Sequence, residues 1–278
     1  MWLMVLLAGM AWGAEPQRVV STAPGFTETM FALGAGKRLI AVSDYCHYPA
    51  EVNKLPRVGS YLKPNVEAIA RMKPDLVLLH SELGSVGRQF ASLGIRTLAL
   101  RNTNLEETFA SFRQIGAALG MNEAGVRLER DTRARLAALQ KASAAKPVRT
   151  LLFLVGRNPG RLDGMIAVGR GSFLNELIRV AGGRNVLFDS PVTYPQISLE
   201  GVVRLDPDVI VDMGDMSETV GVTEQKKASV ERLWKTQKGV RAAVQGRAFA
   251  VAADIFVVPG PRVVDAAEAF ARMLEGRR

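Results

Sequence analysis

Apolar residues in this chain fall into short continuous runs, separated by longer stretches with helical periodicity. Arg18 to Ser21, Leu39 to Val42, Leu76 to Leu79 and Arg96 to Leu100 predict strands in the first hundred residues. Leu76-Val77-Leu78-Leu79 lacks polar alternation, as expected of a parallel strand covered on both faces. Thr27 to Leu33, Val66 to Met72 and Val86 to Leu93 predict the intervening helices, with Gly34 and Gly94 as stops. Pro24-Gly25 is expected to break the chain before the first of them. Asn65 is placed to cap the second, which puts Glu67 in its first turn.

Between residues 104 and 146 the strand signal vanishes. Leu105 to Leu119 predicts one helix, and Glu123 to Ala145 a second, long and mostly polar, with Gly125 as its only breaker. At 1.5 Å per residue the second would be roughly 35 Å long. The alternation then resumes. Arg149 to Val155, Val186 to Phe188 and Ala248 to Ala252 predict strands. Phe173 to Val180, capped by Ser172, Val230 to Trp234, Lys238 to Val244 and Val263 to Leu274 predict helices. The class is therefore α/β.

One stretch occurs twice. Tyr61, Glu67, Arg71, Pro74 and Asp75 recur as Tyr194, Glu200, Arg204, Pro207 and Asp208, every pair separated by 133 residues. That period is too long for a solenoid, whose repeats run roughly 20–50 residues. It fits two similar domains, at residues 15–120 and 147–278, with residues 121–146 as a helix between them. A long polar helix between two α/β blocks can bridge domains, although the same pattern also suits an ordinary surface helix.

Composition narrows the class. Hydrophobic content of 48% and charged content of 23% are those of a globular protein, not a disordered one. Residues 1–14 open with an uncharged apolar run, too short to span a bilayer, followed by small residues around Gly13 and Ala14. They read as a secretory signal peptide, without the usual basic residue before the apolar run. The formal net charge of +9 is spread along the chain, with no aromatic-interleaved basic motif, so nucleic acid is not the expected partner. The single cysteine, Cys46, cannot form an internal disulfide, and only its sequence neighbour His47 offers it activation. Two histidines, His47 and His80, cannot make a three-histidine zinc site. A phosphate-binding loop, a dinucleotide fingerprint and a nucleophile elbow are all missing from the sequence. An exported two-domain α/β chain without a catalytic set is expected to capture a ligand between its lobes rather than to be an enzyme.

Particular residues carry a family resemblance. Thr27-Glu28, the Asp44-Tyr45-x-x-Tyr48-Pro49 loop, Val58-Gly59, Asn65-Val66-Glu67 and Lys73-Pro74-Asp75 resemble the first lobe of periplasmic binding proteins. The branch is the one that serves ABC importers of vitamin B12, ferric siderophores and haem. Gly171-Ser172-Phe173, Ala181-Gly182-Gly183, Tyr194-Pro195, Ser198-Leu199-Glu200 and Pro207-Asp208 resemble its second lobe. The resemblance implies two Rossmann-like lobes joined by a single long backbone helix. It implies a monomer located in the periplasm, with no resident cofactor or metal.

By the same resemblance, Glu67 and Glu200 would dock on arginines of a membrane permease dimer. The helix macrodipole alone would also favour carboxylates at those two positions. Tyr45, Tyr61, His80, Val155 and Tyr194, with Phe256 in a late loop, correspond to the aromatic lining of cobalamin binders. His80 could face a metal centre or serve as a hydrogen-bonded loop residue. Haem binders carry a tyrosine ligand near Tyr61, one residue out of register. Arg157 and Arg262 lie in loops expected to face the cleft, where siderophore binders use arginine. Cobalamin or a related corrinoid ranks first as ligand, a ferric siderophore second and haem third. An enzyme or a ligand sensor on the same scaffold is the alternative of a different class.

Overall fold

The computed structural model describes residues 15–215, 223–251 and 254–277. The expected signal peptide, residues 1–14, lies outside them. In the first lobe the chain runs β1 (Val19–Ser21), α1 (Pro24–Ala32), β2 (Leu39–Val42), α2 (Val66–Arg71), β3 (Leu76–His80), α3 (Gly84–Ser92) and β4 (Thr97–Leu100). α4 (Leu105–Ala118) and α5 (Asn122–Ser143) follow. The second lobe runs β5 (Arg149–Gly156), β6 (Met165–Ala167), α6 (Phe173–Val180), β7 (Gly183–Asn185), β8 (Gln196–Ile197), α7 (Leu199–Leu205) and β9 (Val209–Asp212). It ends with α8 (Glu224–Lys235), α9 (Arg241–Val244), β10 (Ala248–Ala250) and α10 (Val263–Leu274).

Each lobe is built on its own sheet. The first has the order β2-β1-β3-β4, with every pair parallel. The second has the order β10-β9-β5-β6-β8, with β7 also pairing β5; its β10, β9, β5 and β7 pairings are parallel and those of β6 antiparallel. Successive residues of the central strands feed opposite faces. Leu151 and Phe153 enter one core cluster while Leu152 and Leu154 enter another. Val19 and Val20, and Leu76 and Val77, divide in the same way in the first lobe. Helices therefore cover both faces of each sheet, which explains why these strands are continuously apolar in sequence.

The repeat is structural as well as sequential. The Asp75 carboxylate accepts from the backbone N–H groups of Gln17 and Arg18 at 2.9 and 2.8 Å. Asp208 accepts from the N–H and hydroxyl of Thr150 at 2.8 and 2.9 Å. Gln17 and Thr150 are again 133 residues apart. Lys73 and Asp206, equivalent positions just before the two prolines, both have positive φ, 47° and 38°. In each lobe a short capped helix thus stops in a left-handed residue. The Pro-Asp turn after it ties the incoming central strand to the start of the first strand.

α4 takes part in both cores. Leu105, Phe109 and Phe112 at its start pack against the second sheet, and Ile115 and Ala118 at its end against the first. It lies along α5. A Cβ on Gly116 would meet Met121 O at 2.9 Å, and one on Gly125 would meet Phe112 O at 2.7 Å. Gly125, expected as a helix breaker, is therefore the point of closest approach of two helices. Pro24 likewise does not break the chain. It occupies the first turn of α1, where its missing N–H costs nothing. Val186 to Phe188 form a turn, and the strand is the preceding polar Gly183–Asn185, fixed by pairing with Arg149 to Leu151.

Candidate functional site

In open α/β sheets, ligands bind beyond the carboxyl ends of the strands, where the strand order reverses. In the first sheet β1 lies between β2 and β3, so the loops after these strands flank such a point. Three residues expected at the ligand meet there. His80 is the last residue of β3, Tyr45 lies in the loop after β2, and Tyr61 precedes α2. The Tyr45 and Tyr61 rings meet edge to face at 6.0 Å, and Tyr61 lies 6.2 Å from the His80 ring. Phe26, fully buried in α1, supports His80 from beneath at 5.2 Å. Tyr194 stands on the second lobe, with its hydroxyl 3.4 Å from the Ser172 hydroxyl that caps α6. The chain's four tyrosines are all 40% to 52% exposed. Tyrosine suits a face that is apolar in its body and polar at its tip.

Burial pushes the His80 pKa below its ordinary value of 6.5, against a smaller upward pull from Glu82 and Glu107. The ring is therefore neutral at neutral pH and offers a lone pair. The unfolded chain gains a proton as pH falls through 6.5, before the folded chain does. The stability supplied by neutral His80 is thus full above that value and is lost as acidification proceeds toward the folded pKa. Urea unfolding at descending pH is expected to lose stability more steeply for the native chain than for His80→Gln. Parallel losses would contradict this placement.

Three other expected ligand residues are placed differently. Arg157 is buried: its Nε donates to Asp212 at 2.9 Å, and its Nη1 donates to Asn158 O and Arg161 O. Asp212 also accepts from Trp234 Nε1 at 2.8 Å and Gly214 N at 2.7 Å. A fully buried carboxylate requires such a partner, so Arg157 is committed to the interior rather than to the cleft. Phe256 stacks on Phe153 and Phe270 at 5.6 and 5.2 Å and belongs to the second lobe's core. Val155 is buried in the same core.

Arg262 reaches the lobe junction, with its fork occupied. It donates from Nε and Nη2 to Glu28 at 3.0 and 2.5 Å, and from Nη1 and Nη2 to Asp254 at 3.0 and 2.8 Å. Burial raises the Glu28 pKa more than Arg262 lowers it. Sequence reasoning missed Glu28 and Asp254. The available signal was a carboxylate on α1 amid Phe26, Met30 and Phe31.

The two expected docking carboxylates are exposed, and each sits two residues after its helix cap, Asn65 or Ser198. The Glu200 carboxyl is held below its ordinary value by its own backbone N–H and then by the Ser198 hydroxyl. The Cys46 thiol is buried against the Thr27 and Ser43 hydroxyls, and burial pushes its pKa up, which suits packing rather than nucleophilic attack. Among the described residues no cluster of three metal-ligating side chains occurs, and no helix is long and apolar enough to cross a membrane.

The model of the periplasmic binding protein family matches residues 19–249. A vitamin B12-binding protein of Pectobacterium carotovorum subsp. carotovorum is 32% identical over 272 residues, covering 96% of this chain and 91% of that relative. The crystal structure of the periplasmic vitamin B12 binding protein of Vibrio cholerae superposes with a TM-score of 0.77 at 27% identity, covering 94% of this chain and 97% of that one. The apo periplasmic haem-binding protein of Roseiflexus sp. RS-1 does so with a TM-score of 0.77 at 26% identity, covering 94% and 99%.

Proposed function

Because the chain belongs to the periplasmic binding protein family, we propose that it captures a flat metal chelate between its lobes outside the cytoplasm and delivers it to an ABC-transporter permease. The observation that carries the reading is the set of exposed tyrosines on both lobes. Tyr45 and Tyr61 stand beside His80 on one lobe, and Tyr194 stands on the other. Aromatic faces on both sides suit a planar macrocycle, and the hydroxyls suit its polar edge. A corrinoid of the cobalamin type is the first choice, supported by the names of the relatives at 32% identity. Residues 15–120 and 147–278 act as the two jaws, with residues 121–146 between them, in a monomeric chain.

Iron chelates are the second reading, haem included. The solved haem-binding protein is as similar in fold as the cobalamin-binding one, and Tyr61 beside a neutral His80 offers iron-ligand chemistry. Glu67 and Glu200, on exposed first turns of equivalent helices, are assigned to permease docking. Two carboxylates on separate lobes would fix orientation and report lobe spacing more than they add affinity. Equilibrium dialysis of the chain without residues 1–14 against cyanocobalamin, ferric siderophores and haemin tests the reading. Saturable binding of cyanocobalamin is expected to be tightest; retention of none of the three rejects the ligand class.

A further inference from the structure

Three of the four tyrosines are accounted for by the ligand face described above. The fourth, Tyr48, lies in the same loop as Tyr45 and is equally exposed. Its ring is seated on the Arg262 guanidinium, whose central carbon lies 3.9 Å from the ring centroid. That guanidinium belongs to neither lobe alone. It is gripped by Glu28 of the first lobe and by Asp254 of the second. Four of its five N–H groups are committed to these two carboxylates, so it has no free fork for a bidentate anion.

The surrounding contacts pack the junction closely. Asn102 Nδ2 donates to Pro259 O at 3.0 Å. A Cβ on Gly260 would meet Gly25 Cα at 3.2 Å and Glu28 Oε2 at 3.4 Å. The loop that leads into α10 is thus pressed against the start of α1. One face of Tyr48 is fixed on this seam while nearly half of the residue remains open, and among the described residues its hydroxyl has no hydrogen-bond partner. A ring that only sealed the ion pair would gain more from burial than from standing exposed beside Tyr45.

We propose that Tyr48 is a further ligand-contacting residue of the cleft and that Arg262 is its positioning residue. The inference rests on the ligand reading above and adds a contact at the seam between the lobes. Tyr48 would offer its open face to the macrocycle and its hydroxyl to a peripheral amide or carboxylate. Arg262 acts through Tyr48, by holding the ring at a fixed height relative to both lobes.

Cyanocobalamin titration of the chain without residues 1–14 provides the test. Tyr48→Ala is expected to weaken binding about tenfold or more, and Tyr48→Phe, which keeps the ring, by less. Arg262→Lys keeps the charge and loses the fork. It should weaken binding in the native background and add nothing in the Tyr48→Ala background, the non-additivity expected of one residue acting through another. Should Tyr48→Ala not fold, nitration of the native chain by tetranitromethane replaces it, with bound cyanocobalamin expected to protect Tyr48. Binding that Tyr48→Ala leaves unchanged, additive losses in the double variant, or unprotected nitration overturns the inference alone. Failure of the native chain to bind cyanocobalamin, haemin or a ferric siderophore overturns the ligand reading and the inference with it.

Discussion

Alanine in place of Asp212 is expected to cost about 3–5 kcal/mol of folding stability, and Arg157→Ala nearly as much. Asp212 closes β9 with no exposure and accepts from Arg157, Trp234 and Gly214. Removing it leaves a buried guanidinium, an indole N–H and a backbone N–H without their acceptor. Removing Arg157 leaves a buried carboxylate without its counter-charge. Replacing the pair together by apolar residues of similar volume should cost less than either single change, because much of the penalty is that of a stranded charge. Urea unfolding at neutral pH reads all three variants. Arg157→Ala with native stability and weakened ligand binding would return Arg157 to the cleft and contradict the packing described here.

The second large effect is functional. Glu67→Ala combined with Glu200→Ala is expected to leave cyanocobalamin affinity unchanged and to abolish uptake in cells that depend on this chain. Both side chains are exposed and stand in equivalent first turns, six residues after Tyr61 and Tyr194. Stability should barely move, since the interaction of an exposed first-turn carboxylate with the helix dipole is screened by solvent. Each single variant should retain partial uptake, because one lobe would still engage. Wild-type uptake by the double variant would remove the docking role.

Much of the architecture was legible because local and tertiary preferences agree. α6 and α10 occupy the ranges that their apolar stripes predicted, and the two repeat copies revealed the paired lobes. Where they disagree, pairing and packing prevail. Gly183–Asn185 has poor strand propensity and becomes a strand because β5 offers it a parallel partner. β6 and β8 are too short to be singled out by apolar pattern, yet they pair with each other and extend the second sheet. Gly125 reads as a weak point in one helix, and only the crossing of α4 shows why a side chain there would clash.

The site was legible in the same partial way. Sequence position singles out loops at the ends of strands, but not where each side chain points. Tyr45, Tyr61 and His80 gather on one face, whereas Arg157 and Phe256, from loops of the same edge, turn inward to satisfy Asp212 and to complete the core. Arg262 could not be separated from a ligand-binding arginine without its two carboxylate partners, which come from residue 28 and residue 254.

On the proposed reading the ligand is captured between tyrosine faces of two lobes. Calorimetric titration of the chain without residues 1–14 with cyanocobalamin, in the native form and with Tyr61→Ala and Tyr194→Ala singly and together, tests it most directly. A single site is expected in the native chain, with each substitution weakening it about tenfold, roughly 1.4 kcal/mol, and the pair weakening it further. A native chain that binds cyanocobalamin with an affinity indifferent to both tyrosines would contradict the claim.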